Sequence, residues 1–141
     1  MKWLQAIQRY LPTHKYAINT ALLGDASSLA WSNLGLWDNT QQNSYILACQ
    51  NLAKDLADSI QLSSSDRVLD LGCGKGASLN YWQQHYAVLD LTAVEIQAKC
   101  VENIQKNFPQ IQQVYCESFL NLNEIQFKHL FDAVMCIDAA Y

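Results

Sequence analysis

Apolar residues recur at helical spacing in one stretch of the chain and form short continuous runs elsewhere. Between 41 and 61, Ile46, Cys49, Leu52, Ala53, Leu56 and Ile60 keep a helical period. Lys54, Asp55 and Asp58 fall largely between them, which predicts an amphipathic helix. Asn39 or Thr40 is its expected cap, and Ser63-Ser64-Ser65-Asp66 breaks it. Beyond the break, apolar runs predict strands over 67–71, 91–94, 111–115 and 131–137. Helices are predicted over 76–84 and 97–107, the second ending at Phe108-Pro109, with a turn or short helix over 120–128. Strands alternating with helices imply a parallel sheet with helices on both faces. Continuous apolar strands suit such a sheet, because they are buried on both sides. Residues 1–40 keep no long period; Pro12, Gly24 and Gly35 punctuate short helical pieces. Trp3, Trp31 and Trp37 in this leading segment predict packing onto a core or a ligand.

Composition narrows the class. A chain of 141 residues, half hydrophobic and 16% charged, suits one globular domain with a real core. The net charge is −4 and the nine Lys and Arg form no basic run, so little attracts a phosphate backbone and nucleic acid is not an expected partner. No two of the five cysteines (Cys49, Cys73, Cys100, Cys116 and Cys136) form a CxxC pair, so no metal site is expected. Cys73, Cys116 and Cys136 sit in or beside apolar runs, and buried free thiols in a reducing cytosol account for them. Gln5, Gln8 and Arg9 interrupt the N-terminal segment, which does not read as a signal peptide. No apolar run approaches the roughly 20 residues that span a bilayer. A soluble cytoplasmic protein with no membrane partner is expected.

The segment richest in chemistry is Val68-Leu69-Asp70-Leu71-Gly72-Cys73-Gly74-Lys75-Gly76, which leaves a predicted strand and enters a predicted helix. Glycines there allow a tight turn and close backbone approach to a ligand. Together with Ala77 the loop also satisfies the dinucleotide pattern G-x-G-x-x-G/A, a weak signal on its own. Asp70 separates the two ligand classes. A carboxylate two residues before the first glycine repels a pyrophosphate and attracts the methionine ammonium group of S-adenosylmethionine. Glu95, 23 positions after Gly72, can accept hydrogen bonds from both hydroxyls of a ribose in either class. Lys75 beside Cys73 is a feature that would lower a thiol pKa. His14, His85 and His129 show no spacing of a triad or a metal site and read as surface or structural residues.

These residues, with Glu95 and Phe131-Asp132-Ala133-Val134-Met135-Cys136-Ile137-Asp138, resemble the class I S-adenosylmethionine-dependent methyltransferases over residues 67–141. Asn33-Leu34-Gly35-Leu36-Trp37 resembles, more weakly, the entry segment of small-molecule members of that family. The resemblance implies a Rossmann-like, doubly wound, mostly parallel α/β sheet, of which this chain carries the first four of seven strands. It divides the chain into an N-terminal helical or lid segment, 1–40, and a cofactor-binding domain, 41–141. It implies that Asp70, Gly72, Cys73 and Gly74 hold the methionine moiety and Glu95 the ribose, with Ile96 against the adenine. Glu117 and Ser118 follow the third strand where relatives place an acidic residue near the adenine amino group. In Cys116-Glu117-Ser118-Phe119, Cys116 replaces the usual glycine and Glu117 the usual aspartate. Ile137 and Asp138 border the methyl group and the acceptor, and Trp37 is a cofactor contact or a packing residue. Asp138 is the best candidate for a general base, ahead of Tyr141.

The expected reaction is methyl transfer to a small organic acceptor. A nicotinamide-dependent oxidoreductase using NAD(P) and a non-catalytic cofactor-binding fragment are the competing readings. The seven-strand pattern also implies a chain incomplete at its C-terminal end. A fourth strand left as an edge would expose an apolar flank, and self-association through it is expected.

Overall fold

The computed structural model describes residues 18–38, 44–111 and 113–139. A 3-10 turn at Thr20–Leu23 is followed by helix α1 (Tyr45–Ser59), strand β1 (Arg67–Leu71), helix α2 (Ala77–Tyr86) and strand β2 (Asp90–Glu95). Helix α3 (Ala98–Asn107), strand β3 (Gln113–Cys116), a second 3-10 turn (Phe119–Glu124) and strand β4 (Ala133–Met135) complete the described elements. The Ser44 side chain caps α1, accepting the Leu47 N–H at 3.4 Å. It takes the place expected for Asn39 or Thr40, which lie outside the described residues. The face α1 buries is also displaced by about one position. Tyr45, Ala48, Cys49, Ala53 and Ala57 are buried, whereas Ile60 is exposed. Residues 33–36 pack closely on this face, with the Leu36 N–H on the Ala48 carbonyl and the Cys49 Sγ on the Asn33 carbonyl, and that favours small side chains there over the larger aliphatics.

All four strands run parallel in the order β3-β2-β1-β4. The chain steps outward from β1 through β2 to β3, then returns to the far side of β1. The sheet is thus doubly wound, with its switch point between β1 and β4. Side-chain alternation sorts its two faces. Val68, Leu91, Ala93, Ala133 and Met135 join the core that α1, α2 and α3 cover, with Leu79, Trp82 and Ile104 wholly buried there. Burying each of these larger side chains contributes about 1.5–3 kcal/mol. Leu69, Leu71 and Val94 point to the other face. There the return segment supplies the cover, with Phe119, Phe127 and Phe131 packed against them. The α-helices therefore share one face, and the 3-10 turn, in keeping with the turn or short helix expected over 120–128, covers the other with aromatic loops.

The fourth strand is shorter than the predicted 131–137, and it lies at an edge of the described sheet with Val134 57% exposed. Two-sided burial holds for β1 and β2, and fails for β3 and for the middle of β4. Cys116, expected to be buried, is exposed at the end of β3, while Cys49 and Cys73 are buried. None of the described cysteines is in a disulfide.

Candidate active site

In an open parallel sheet the ligand crevice lies beyond the carboxyl ends of the strands, at the switch point. Here that place is bounded by Asp70 and Leu71 of β1 and by the residues following β4. The loop after β1 is held tightly. The Gly72 N–H extends the β1–β2 pairing by donating to the Val94 carbonyl at 2.8 Å. Gly72 has φ +70°, and a Cβ there would run into the Ala139 Cβ, so neither its conformation nor its surroundings admit a side chain.

Glu95 ends β2 and is buried. Its Oε2 accepts the Gly74 N–H at 2.9 Å and its Oε1 accepts the Gln97 N–H at 2.8 Å. Each carboxylate oxygen keeps a second lone pair. Beyond it Ile96 stands 59% exposed, an apolar surface beside a carboxylate. The next loop is joined to it, since the Glu117 N–H donates to the Glu95 carbonyl at 3.2 Å. The Glu117 Oε1 accepts the Ser118 N–H at 2.7 Å and the Asn121 Nδ2 at 3.1 Å. Ser118 in turn caps the 3-10 turn through Leu120 N–H at 3.2 Å.

Asp70 lies on the helix-covered face and is 1% exposed. The Trp82 Nε1–H donates to its Oδ2 at 2.8 Å, and Ser78 lines the same cavity beside it. Burial raises the Asp70 pKa to about 6, with a smaller contribution from the negative charge of Glu95; Ser78 and Trp82 oppose both. Cys73 is buried in the same place, and burial pushes its thiol well above the ordinary value, with Asp70 and Glu95 adding to the shift. The expected lowering by Lys75 is overturned, because desolvation dominates.

The leading segment closes over these groups. Buried Asp25 accepts the Ser27 N–H and Oγ–H and the Trp31 N–H at 3.1, 2.7 and 2.8 Å, which shapes the turn before Trp31. Trp31 packs edge-on against Tyr81, with ring centroids 5.8 Å apart. The Tyr45 hydroxyl donates to the Asn33 carbonyl at 2.9 Å, and the Asn103 Nδ2 bridges the Ser28 and Lys75 carbonyls at 2.9 Å each. The Leu34 N–H donates to the Asp138 Oδ2 at 2.7 Å, tying this strap to the residues after β4. Ala30–Asn33 thus face Asp70, Gly72, Cys73, Ala77, Ser78 and Ile137 across a partly open cavity of about 20 Å³.

Of the residues singled out in the sequence, Asp70, Gly72, Cys73 and Ile137 line this cavity; Gly74, Glu95, Glu117 and Ser118 are linked to one another by hydrogen bonds, with Ile96 following Glu95. Asp138 reaches the strap. Trp37 stands away from the cavity, 52% exposed, with its Nε1–H on the Leu34 carbonyl at 2.8 Å. Tyr141 and His14 lie outside the described residues. His85 stacks on Tyr81 at 4.2 Å, and His129 lies 3.3 Å from the Asp90 carboxylate. Sequence reasoning missed Ser78, Trp82, Asp25, Asn33, Asn103 and Asn121. Ser78 and Trp82 carry a legible signal: they are four apart, on one face of a helix that begins at the glycine loop.

A family model for a methyltransferase domain matches residues 68–141, just over half of the chain, and the protein belongs to that family. A tRNA1(Val) (adenine(37)-N6)-methyltransferase of Vibrio vulnificus (strain YJ016) is 36% identical over 77 residues, covering 51% of this chain and 31% of that protein. The chain thus spans about a third of the length of that curated relative. Among solved structures, coclaurine N-methyltransferase with N-methylheliamine and SAH bound superposes with a TM-score of 0.62 at 18% identity. That match covers 96% of this chain and 40% of the other. The cyclopropane synthase MmaA2 of Mycobacterium tuberculosis gives 0.58 at 20% identity, over 79% of this chain and 38% of its own. These two likenesses establish the fold. Among the described residues no helix is long and apolar enough to cross a membrane, and no three His, Cys, Asp or Glu side chains gather as a metal site.

Proposed function

We propose that this chain binds S-adenosylmethionine across the carboxyl ends of β1 and β2 and presents its methyl group to an acceptor at the β4 end. The observation that carries this reading is two buried carboxylates beside the carboxyl ends of β1 and β2, Asp70 under the glycine loop and Glu95 hydrogen-bonded to that loop. A cationic amino-acid head group suits Asp70, and a neutral diol suits the remaining lone pairs of Glu95. A pyrophosphate suits neither. Ile96 offers an apolar face for the adenine, and Glu117, steadied by Ser118 and Asn121, an acceptor for its amino group.

When bound, the cofactor supplies a carbon activated by sulfonium. The protein's part is to position it. A near-attack arrangement of donor and acceptor contributes roughly 7–11 kcal/mol. Residues 18–38 serve as the lid in this reading. Their closed position leaves room for about one water-sized group, so the lid opens to admit the ligand and excludes water on closing. Where the acceptor must lose a proton, Asp138 is the candidate base, with one oxygen engaged by Leu34.

A small organic acceptor fits the net charge of −4 and the scatter of Lys and Arg. The tRNA-directed relative makes RNA the alternative. Transfer of methyl label by the full-length protein into separated small-molecule and RNA fractions of an extract decides between them. Label in the small-molecule fraction is expected. Label in RNA alone overturns the acceptor class, and label in neither overturns the activity.

A further inference from the structure

The Asp70 carboxylate receives the Trp82 indole N–H from α2, and Ser78, four residues earlier on the same face of that helix, lines the same cavity. Trp82 is wholly buried, and its indole N–H has this carboxylate as its partner at 2.8 Å. Tryptophan can fill a core through its ring alone, and burying its N–H without a partner is costly. Here the N–H is aimed at the one carboxylate that floors the cavity, and Ser78 and Asp70 both line that cavity.

We propose that Trp82, seconded by Ser78, is a positioning residue that keeps Asp70 ionised and oriented for the cationic head group of the ligand. This rests on the proposed binding of S-adenosylmethionine and adds to it a residue outside the glycine loop. The physical need is plain. Burial alone drives a carboxylate toward its neutral form, which attracts an ammonium group weakly. The neighbours on the other elements do not help. Glu95 on β2 carries like charge; Cys73 in the loop and Cys136 after β4 are thiols pushed up by burial and stay neutral; the Asp138 carboxylate is engaged by the Leu34 N–H. Donors from α2 are therefore what favours the charged form, and they bring the carboxyl group to about 6, where it is ionised at neutral pH. The orientation follows too: Trp82 engages Oδ2, which leaves Oδ1 for the ligand.

The test is the pH profile of S-adenosylhomocysteine binding from pH 5 to 8, with 5′-methylthioadenosine, which lacks the amino-acid head group, as the comparison ligand. Wild-type affinity for S-adenosylhomocysteine should fall as pH drops through about 6. In Trp82→Phe, which keeps the ring and loses the donor, the midpoint should move up by about one pH unit. Ser78→Ala should move it in the same direction, and decides the matter if Trp82→Phe does not fold. The methylthioadenosine profile should stay flat in every variant. An unmoved midpoint in the folded variants, or an equal movement for both ligands, overturns the inference while leaving the proposed function intact. A wild type that binds neither ligand overturns the proposed function, and this inference with it.

Discussion

Gly74 and Glu95 are 21 residues apart in sequence, and the backbone N–H of the first donates to the carboxylate of the second at 2.9 Å. Together with the Gly72 N–H on the Val94 carbonyl, that bond joins the loop after β1 to the end of β2. Whatever is held by the glycine loop and whatever is held by Glu95 thereby share one rigid frame.

Glu95 consequently has a structural duty beside the binding one proposed for it. Replacing it by alanine leaves the Gly74 and Gln97 N–H groups without their acceptor. Folding stability should drop by about 1–3 kcal/mol, measured by urea unfolding. Affinity for S-adenosylhomocysteine should fall at least tenfold, because two charge-assisted bonds to the ribose are lost. Unchanged affinity in a folded Glu95→Ala variant would show that the ribose lies elsewhere.

Asp70 makes the opposite trade. Its pKa is raised from 3.8 to about 6 in the folded protein, so the folded state holds the proton more tightly than the unfolded chain. Stability from this group therefore falls as pH rises from about 4 to 6, and the cost persists above that range. Asp70→Asn removes the charge and keeps the shape. At pH 7.5 it should be more stable than wild type by on the order of 1–3 kcal/mol, with the difference vanishing near pH 4. It should also bind S-adenosylhomocysteine at least tenfold more weakly. A variant destabilised at pH 7.5 would contradict the assignment of a strained buried charge.

The glycine loop offers a matched pair of substitutions. Gly72 and Gly24 both have positive φ, at +70° and +93°, but a Cβ clashes with Ala139 at the first and meets nothing within 4 Å at the second. Gly24→Ala should cost about 1 kcal/mol from backbone strain alone. Gly72→Ala should cost clearly more, measured by thermal unfolding. Equal losses would mean that the Gly72–Ala139 contact is relieved at no cost.

The strap makes a kinetic prediction. Asn103 holds it to the glycine loop by two hydrogen bonds, and Asp138 holds it through Leu34. Asn103→Ala and Asp138→Ala should speed both association and dissociation of S-adenosylhomocysteine in stopped-flow measurements, and should raise amide exchange over residues 27–36. Slower association in either variant would argue that the strap is a fixed wall.

Much of this was legible in the residues, for identifiable reasons. The glycine loop, the two acids and the strand–helix alternation are local signals, set by turn chemistry and period, and β1, β2 and α3 lie within a residue or so of their predicted bounds. What the sequence hid depends on tertiary contact. The face of α1 followed small residues at Ala48, Ala53 and Ala57, with residues 33–36 packed closely over Ala48 and Cys49. The cover of the second face came from Phe119, Phe127 and Phe131, spread over a segment with no period. Trp82 reads as a core aromatic until the helix is laid over β1. Asp25, with its three acceptor bonds, gives no signal in sequence beyond an ordinary turn.

The central claim is that two buried carboxylates select an adenosyl amino acid over a dinucleotide. Titration calorimetry at pH 7.5 with S-adenosylhomocysteine and with NAD tests it most directly. The account predicts micromolar binding of S-adenosylhomocysteine, roughly −8 kcal/mol, and NAD binding far weaker. Tighter binding of NAD than of S-adenosylhomocysteine would contradict it.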